Sequence, residues 1–121
     1  MSADKLCYVA LGSNLGDRLR LLSRALRDLA ALPGVRLTRT SSLYETSPQY
    51  VTDQPRFLNA VAEVELSTGR LEALPELLSD LKGIEAALGR RSGARWGPRP
   101  VDLDIIAVGQ RHLSEPNAPF P

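Results

Sequence analysis

Two aspartates, Asp102 and Asp104, stand two residues apart inside the apolar run VDLDIIAV of residues 101–108. On an extended strand alternate side chains share a face. Asp102 and Asp104 then project together, with Cα atoms roughly 6.5–7 Å apart. Val101, Leu103 and Ile105 turn to the other side. Two unpaired carboxylates at that spacing repel each other. Divalent cations between or beside them reverse the sign, as in two-metal phosphoryl-transfer sites. Magnesium suits such a pair, because it takes one or two carboxylates and completes its octahedron with phosphate oxygens and water. Four arginines, Arg90, Arg91, Arg95 and Arg99, lie between residues 86 and 101, a stretch with no acid. Such a cluster can neutralise a polyphosphate held by the metal. The plainer alternative is a solvated loop rimmed by ion pairs.

A second chemical theme is the recognition of a flat ring. Trp96, the only tryptophan, sits between Arg95 and Gly97. It is either an apolar plug over its loop or a stacking surface for a heterocycle. Phe57 and Asn59 fall on one face of the extended segment 57–66. The amide of Asn59 both donates and accepts, which matches a lactam-type ring edge. Its alternative role is to satisfy backbone groups in the core.

These residues need a scaffold, and the sequence patterns supply one. Residues 6–11 form a short apolar run ending at Gly12-Ser13-Asn14 and read as a buried central strand, with Cys7 a small core residue. Over residues 17–32, Leu22, Ala25, Leu26 and Leu29 recur at helical spacing, with Asn14 or Asp17 as candidate N-cap and Pro33-Gly34 as the stop. Residues 35–43 alternate as a half-exposed strand, residues 44–56 read as a long functional loop, and residues 57–66 form the next strand. Thr68-Gly69 reads as a turn. Leu71, Leu74, Leu77, Leu78, Leu81, Ile84 and Leu88 trace a helical stripe with Pro75 inside it, so the regular helix is expected to begin there, with Pro75 in its first turn and Gly89 at its end. After an arginine-rich loop comes the strand 101–108, then a turn at Gly109-Gln110 and a brief partner strand over 111–113. The order β-α-β-β-α-β predicts an α+β, ferredoxin-like fold: an antiparallel four-stranded sheet with both main helices on one face.

Composition narrows the function classes. The chain has 121 residues, 43% apolar and 24% charged, with a net charge of +1. That length and composition fit one globular domain with a real core. One cysteine excludes an intrachain disulfide and a cysteine-based metal cage, and one histidine, His112, leaves little material for a catalytic triad or a multi-histidine zinc site. No apolar run approaches the roughly 18–20 residues that span a bilayer. The N-terminus lacks the sections of a signal peptide, so a cytoplasmic setting without membrane association is expected. A ferredoxin-like RNA-binding module would need exposed aromatic clusters that the strands lack, so no nucleic-acid partner is expected. A small-ligand regulatory dimer explains neither the aspartates nor the arginine loop.

Four segments together resemble one enzyme family. RWGPRPVDLDII (residues 95–106) is similar to the signature of 6-hydroxymethyl-7,8-dihydropterin pyrophosphokinase. YVALGSNLG (8–16) resembles its first strand and turn, and SLYET (42–46) with DQPRFLN (53–59) its pterin loop. Glu85 with Gly89-Arg90 resembles its nucleotide-side helix end. The resemblance implies transfer of the diphosphoryl group of ATP to the hydroxymethyl oxygen of the dihydropterin, with release of AMP, in folate biosynthesis. It implies that Asp102 and Asp104 ligate two Mg2+ ions that bridge the ATP phosphates. Thr46, Ser47, Phe57, Asn59 and Trp96 would hold the pterin. Leu78, Lys82, Glu85, Ile105, Arg90, Arg91, Trp96 and Arg99 would hold ATP, with Arg90 and Arg99 on the phosphates. Tyrosine is common in the family where this chain has Phe57.

The family domain continues to a Pro-His pair, a later arginine and an aromatic, whereas this chain ends at Pro121. The expectation is one pyrophosphokinase domain over 1–121, truncated, with 113–121 an irregular proline-rich tail, and a monomer. The alternative expectation is a remnant that binds ATP or pterin but is catalytically impaired.

Overall fold

The computed structural model describes residues 5–47, 55–89 and 100–109, and the backbone of 111–112. Strand β1 (Leu6–Ser13) is central, as its apolar run predicts. Cys7, Val9 and Leu11 are buried on one face. Burial pushes the Cys7 thiol up to about 12, so it packs as a neutral small hydrophobe. Helix α1 (Arg18–Ala30) buries Leu22, Ala25 and Leu29 against that face. Asp17, not Asn14, is the N-cap: its carboxylate accepts from the Arg20 backbone N–H at 3.2 Å.

Strands β2 (Val35–Thr40) and β3 (Tyr44–Thr46) lie in succession along one edge of β4 (Phe57–Leu66). The expected loop over 44–56 therefore opens with a strand. Three consecutive exposed residues gave no apolar alternation to reveal β3, and only its pairing with β4 makes it. Ser41 bridges the gap between β2 and β3. Its backbone N–H donates to the Val61 carbonyl, and its hydroxyl accepts from the Val61 N–H, both at 2.8 Å. The expected turn at Thr68-Gly69 is instead a short helix, α2 (Thr68–Glu72), which starts because the Ser67 hydroxyl accepts from the Arg70 N–H. Helix α3 (Leu74–Ala87) carries Pro75 in its first turn and buries Leu77, Leu81 and Ile84. Gly89 follows with φ of 99°, the left-handed geometry that ends helices.

Strands β5 (Asp102–Val108) and β6 (Arg111–His112) complete a six-stranded sheet of order β2-β4-β1-β5-β6, with β3 on β4 and every pairing antiparallel. The four long strands give the expected ferredoxin-like α+β arrangement. Both long helices pack on the Cys7–Val9–Leu11 face in one continuous core. Each fully buried leucine there contributes about 1.5–3 kcal/mol. A bulge in β5 places Ile105 opposite Val9 but Ala107 opposite Tyr8. Residues 102 and 104 thus stay on the face away from the helices, and Val108 returns to the core.

Candidate active site

The register assembles the chemistry on the helix-free face. Gly12 lies between Asn59 of β4 and Asp102 of β5, and Ala10 lies between Val61 and Asp104. Asn59 pairs in turn with Tyr44, and Phe57 with Thr46. Neighbouring strands are about 4.8 Å apart, so the Asn59 amide and the Asp102 carboxylate start from backbones about 10 Å apart. That span suits a ring at one end and a phosphate chain at the other.

Gly12 makes the floor of this row. A Cβ there would meet Asn59 Oδ1 at 3.2 Å and Phe57 Cδ1 at 3.5 Å, so both side chains lean over the glycine. Asn59 is held from three sides. Its Nδ2 donates to Thr46 Oγ1 at 2.8 Å and to the Tyr44 and Phe57 carbonyls at 3.3 Å. The amide thus ties β3 to β4. Thr46 and Ser47 are exposed, and Phe57 is half-buried.

Asp102 is half-buried and Asp104 exposed. Among the described residues no group of three or more histidines, cysteines and acids lies together. The two carboxylates fit a magnesium ion whose other ligands are phosphate oxygens and water, which is how that ion is usually held. Among the described residues they form no all-protein cage.

The residues expected to line a nucleotide pocket lie on the helix side. Leu78 is 44% exposed, Lys82 stands one turn on, and Ile105 is half-buried against the core. Glu85 is only 1% exposed. Its Oε2 accepts from the Leu103 N–H at 2.7 Å, and its Oε1 lies 3.4 Å from Lys82 Nζ. Among the described residues β6 pairs with Ala107 and Val108, and no strand lies beside the outer edge of β5 at Leu103. Glu85 supplies the missing acceptor. A buried backbone N–H requires one. Glu85 therefore anchors the residue between the two aspartates. Arg90, Arg91, Trp96 and Arg99 lie outside the described residues, as does the tail 113–121.

On the same face, nearer β2, Glu63 is 5% exposed and its carboxylate is fully engaged. Arg39 donates to it at 2.8 and 3.1 Å, Thr38 at 2.7 Å and Tyr8 at 2.8 Å. A bulge in β2 at Thr38 brings Thr38 and Arg39 to the same acceptor. The Arg39 guanidinium, helped by the two hydroxyls and opposed by burial, holds the Glu63 carboxyl down at about 2. Burial and the adjacent carboxylate push the Tyr8 phenol up. No local pattern points to this network, because its members are scattered over three strands.

Residues 8–120 match the family described as 7,8-dihydro-6-hydroxymethylpterin-pyrophosphokinase (HPPK). The chain belongs to the HPPK family. Two bacterial relatives named 2-amino-4-hydroxy-6-hydroxymethyldihydropteridine pyrophosphokinase are each 41% identical. The one from Methylorubrum extorquens matches over 94% of this chain and 70% of its own length, and the one from Pseudomonas aeruginosa over 94% and 68%. A "Folate synthesis bifunctional protein, mitochondrial" from Pisum sativum is 50% identical over 88% of this chain. The chain spans about a fifth of the length of the plant bifunctional proteins it matches. No described helix of this HPPK-family chain is long and apolar enough to cross a membrane.

Sequence reasoning did not single out Gly12 as part of the site. A glycine inside a strand, where a side chain would otherwise pack, was the available signal. Nor did it assign Asn14 and Arg18 to the site, which reach it only through contacts across the fold.

Proposed function

We propose that this chain transfers the diphosphoryl group of ATP to the hydroxymethyl oxygen of 6-hydroxymethyl-7,8-dihydropterin. The hydroxymethyl oxygen attacks the β-phosphorus, and the bond from that phosphorus to the α,β-bridging oxygen breaks. AMP leaves with the bridging oxygen, and the hydroxyl proton passes to solvent. The observation that carries the reading is the row Asp102–Gly12–Asn59 across the sheet, with Asp104 beside it, in a chain of the HPPK family.

In this reading Thr46, Ser47 and Asn59 receive the polar edge of the pterin, and Phe57 offers its ring face. Asp102 and Asp104 would hold two Mg2+ ions, which when bound neutralise the phosphate charge and align the β-phosphorus. Such transfer rests on positioning and charge neutralisation rather than a covalent intermediate. Arg90, Arg91 and Arg99 extend that neutralisation, and Trp96 covers the substrates. Leu78, Lys82 and Ile105 take the nucleoside on the helix side, so ATP crosses the outer edge of β5 to reach the aspartates. The chain acts as a monomer, as one domain over 1–121, in the cytoplasm where ATP is supplied.

The test is AMP formation from ATP with and without the dihydropterin, in the presence and absence of Mg2+. Dependence on both supports the reading, and AMP formation indifferent to the dihydropterin refutes it.

A further inference from the structure

The turn that joins β1 to α1 grips the site from behind through three contacts. Arg18, the first residue of α1, donates from Nη1 to Glu45 Oε2 at 2.8 Å and to the Arg56 carbonyl at 2.9 Å. Asn14 donates from Nδ2 to the Pro55 carbonyl at 3.1 Å, and is only 1% exposed. Glu45 lies in β3, and Pro55 and Arg56 lie just before β4. The two side chains therefore reach β3 and the residues that lead directly into β4. Glu45 is flanked by Tyr44 and by Thr46, and Arg56 directly precedes Phe57. β3 is three exposed residues long and, among the described residues, pairs with β4 alone. Its own burial is too small to fix it.

We infer that Asn14 and Arg18 are positioning residues that brace β3 against the start of β4, setting the spacing of Thr46 from Phe57 and Asn59. The inference rests on the proposed role of those three residues in binding the dihydropterin. The brace touches no reacting atom and acts through Glu45, Pro55 and Arg56. The Arg18–Glu45 pair is itself partly exposed, at 31% and 45% for the two side chains. A pair so placed adds little to global stability. Its removal is felt locally, in the alignment of the site, and small misalignments are costly for recognition.

The test compares R18M and R18K with the wild-type chain in three measurements. These are hydrogen exchange of the amides of Tyr44–Thr46 without ligand, the urea midpoint, and KM for the dihydropterin and for ATP. R18M is expected to speed exchange in β3 and to raise KM for the dihydropterin roughly tenfold. KM for ATP and the urea midpoint should stay near wild type. R18K, which keeps one donor, should recover part of both effects. Wild-type exchange and wild-type KM in R18M would overturn the brace. So would a loss shared equally by both substrates and the midpoint, which is the mark of a merely structural residue. Absence of turnover in the wild-type chain would instead refute the proposed reaction. The brace is then judged by exchange and by calorimetric titration with the dihydropterin, where unchanged affinity in R18M overturns it.

Discussion

Removing the Glu85 carboxylate should cost far more than an ordinary surface substitution, and the structure gives the size. In E85A the Leu103 N–H loses a charged acceptor 2.7 Å away at a fully buried position. A hydrogen bond to a charged group is worth about 1.5–3 kcal/mol, and an orphaned buried donor forfeits it in full. The one lost methylene adds about 0.8 kcal/mol of packing. Relief of burying a carboxylate works the other way, since ion desolvation is expensive. The net expectation is a loss of about 2–4 kcal/mol, a large share of the 5–15 kcal/mol that holds a domain of this kind. With a denaturant slope of about 1.5 kcal/mol per molar urea, the midpoint of urea unfolding falls by about 2 M. E85Q keeps an oxygen acceptor and should lose about half as much. An E85A midpoint within about 0.5 M of wild type would refute the claim that this carboxylate supports β5.

The remaining predictions concern the open face. G12A places a methyl group 3.2 Å from Asn59 Oδ1, tighter than most contacts of that kind, while Thr46 holds the same amide at 2.8 Å. Losing about 1 kcal/mol of that hydrogen bonding predicts a roughly fivefold higher KM for the dihydropterin, with the thermal midpoint moved by only a few degrees. An unchanged KM would mean that Gly12 is no floor of the ring site. For Glu63, the folded carboxyl sits at about 2 against an ordinary value of 4.5. Its stabilising contribution is therefore complete above about pH 4.5 and is lost as pH falls from there to about 2. E63Q should flatten stability against pH over that window, and an unaltered acid limb would contradict the network.

The parts of the molecule legible in the sequence are those written in local pattern. Period-two alternation at 57–66 and the helical stripe through Leu77, Leu81 and Ile84 both reflect burial on one face, and both elements form there. Asp102 and Asp104 were assigned to one face because strand geometry allows nothing else, and the β5 bulge falls after them. What the sequence hid depends on partners distant in the chain. β3 exists only through its pairing with β4, and α2 through one serine cap. Glu85 matched a nucleotide-side helix end in family pattern. Its carboxylate accepts from a backbone N–H eighteen positions away, a contact no local pattern carries. Asn14 had the chemistry of an N-cap, but Asp17 took that role and Asn14 crossed to Pro55.

The central claim is diphosphoryl transfer centred on the Asp102–Asp104 pair. The most direct measurement is AMP and pterin diphosphate formed by the wild-type chain and by D104N, with ATP, Mg2+ and 6-hydroxymethyl-7,8-dihydropterin. The account predicts equimolar AMP and pterin diphosphate in the wild type, and at least a hundredfold lower rate in D104N, in line with losing one preorganised charge at a transferring phosphoryl group. An equal rate in D104N, or ADP as the nucleotide product, would contradict it.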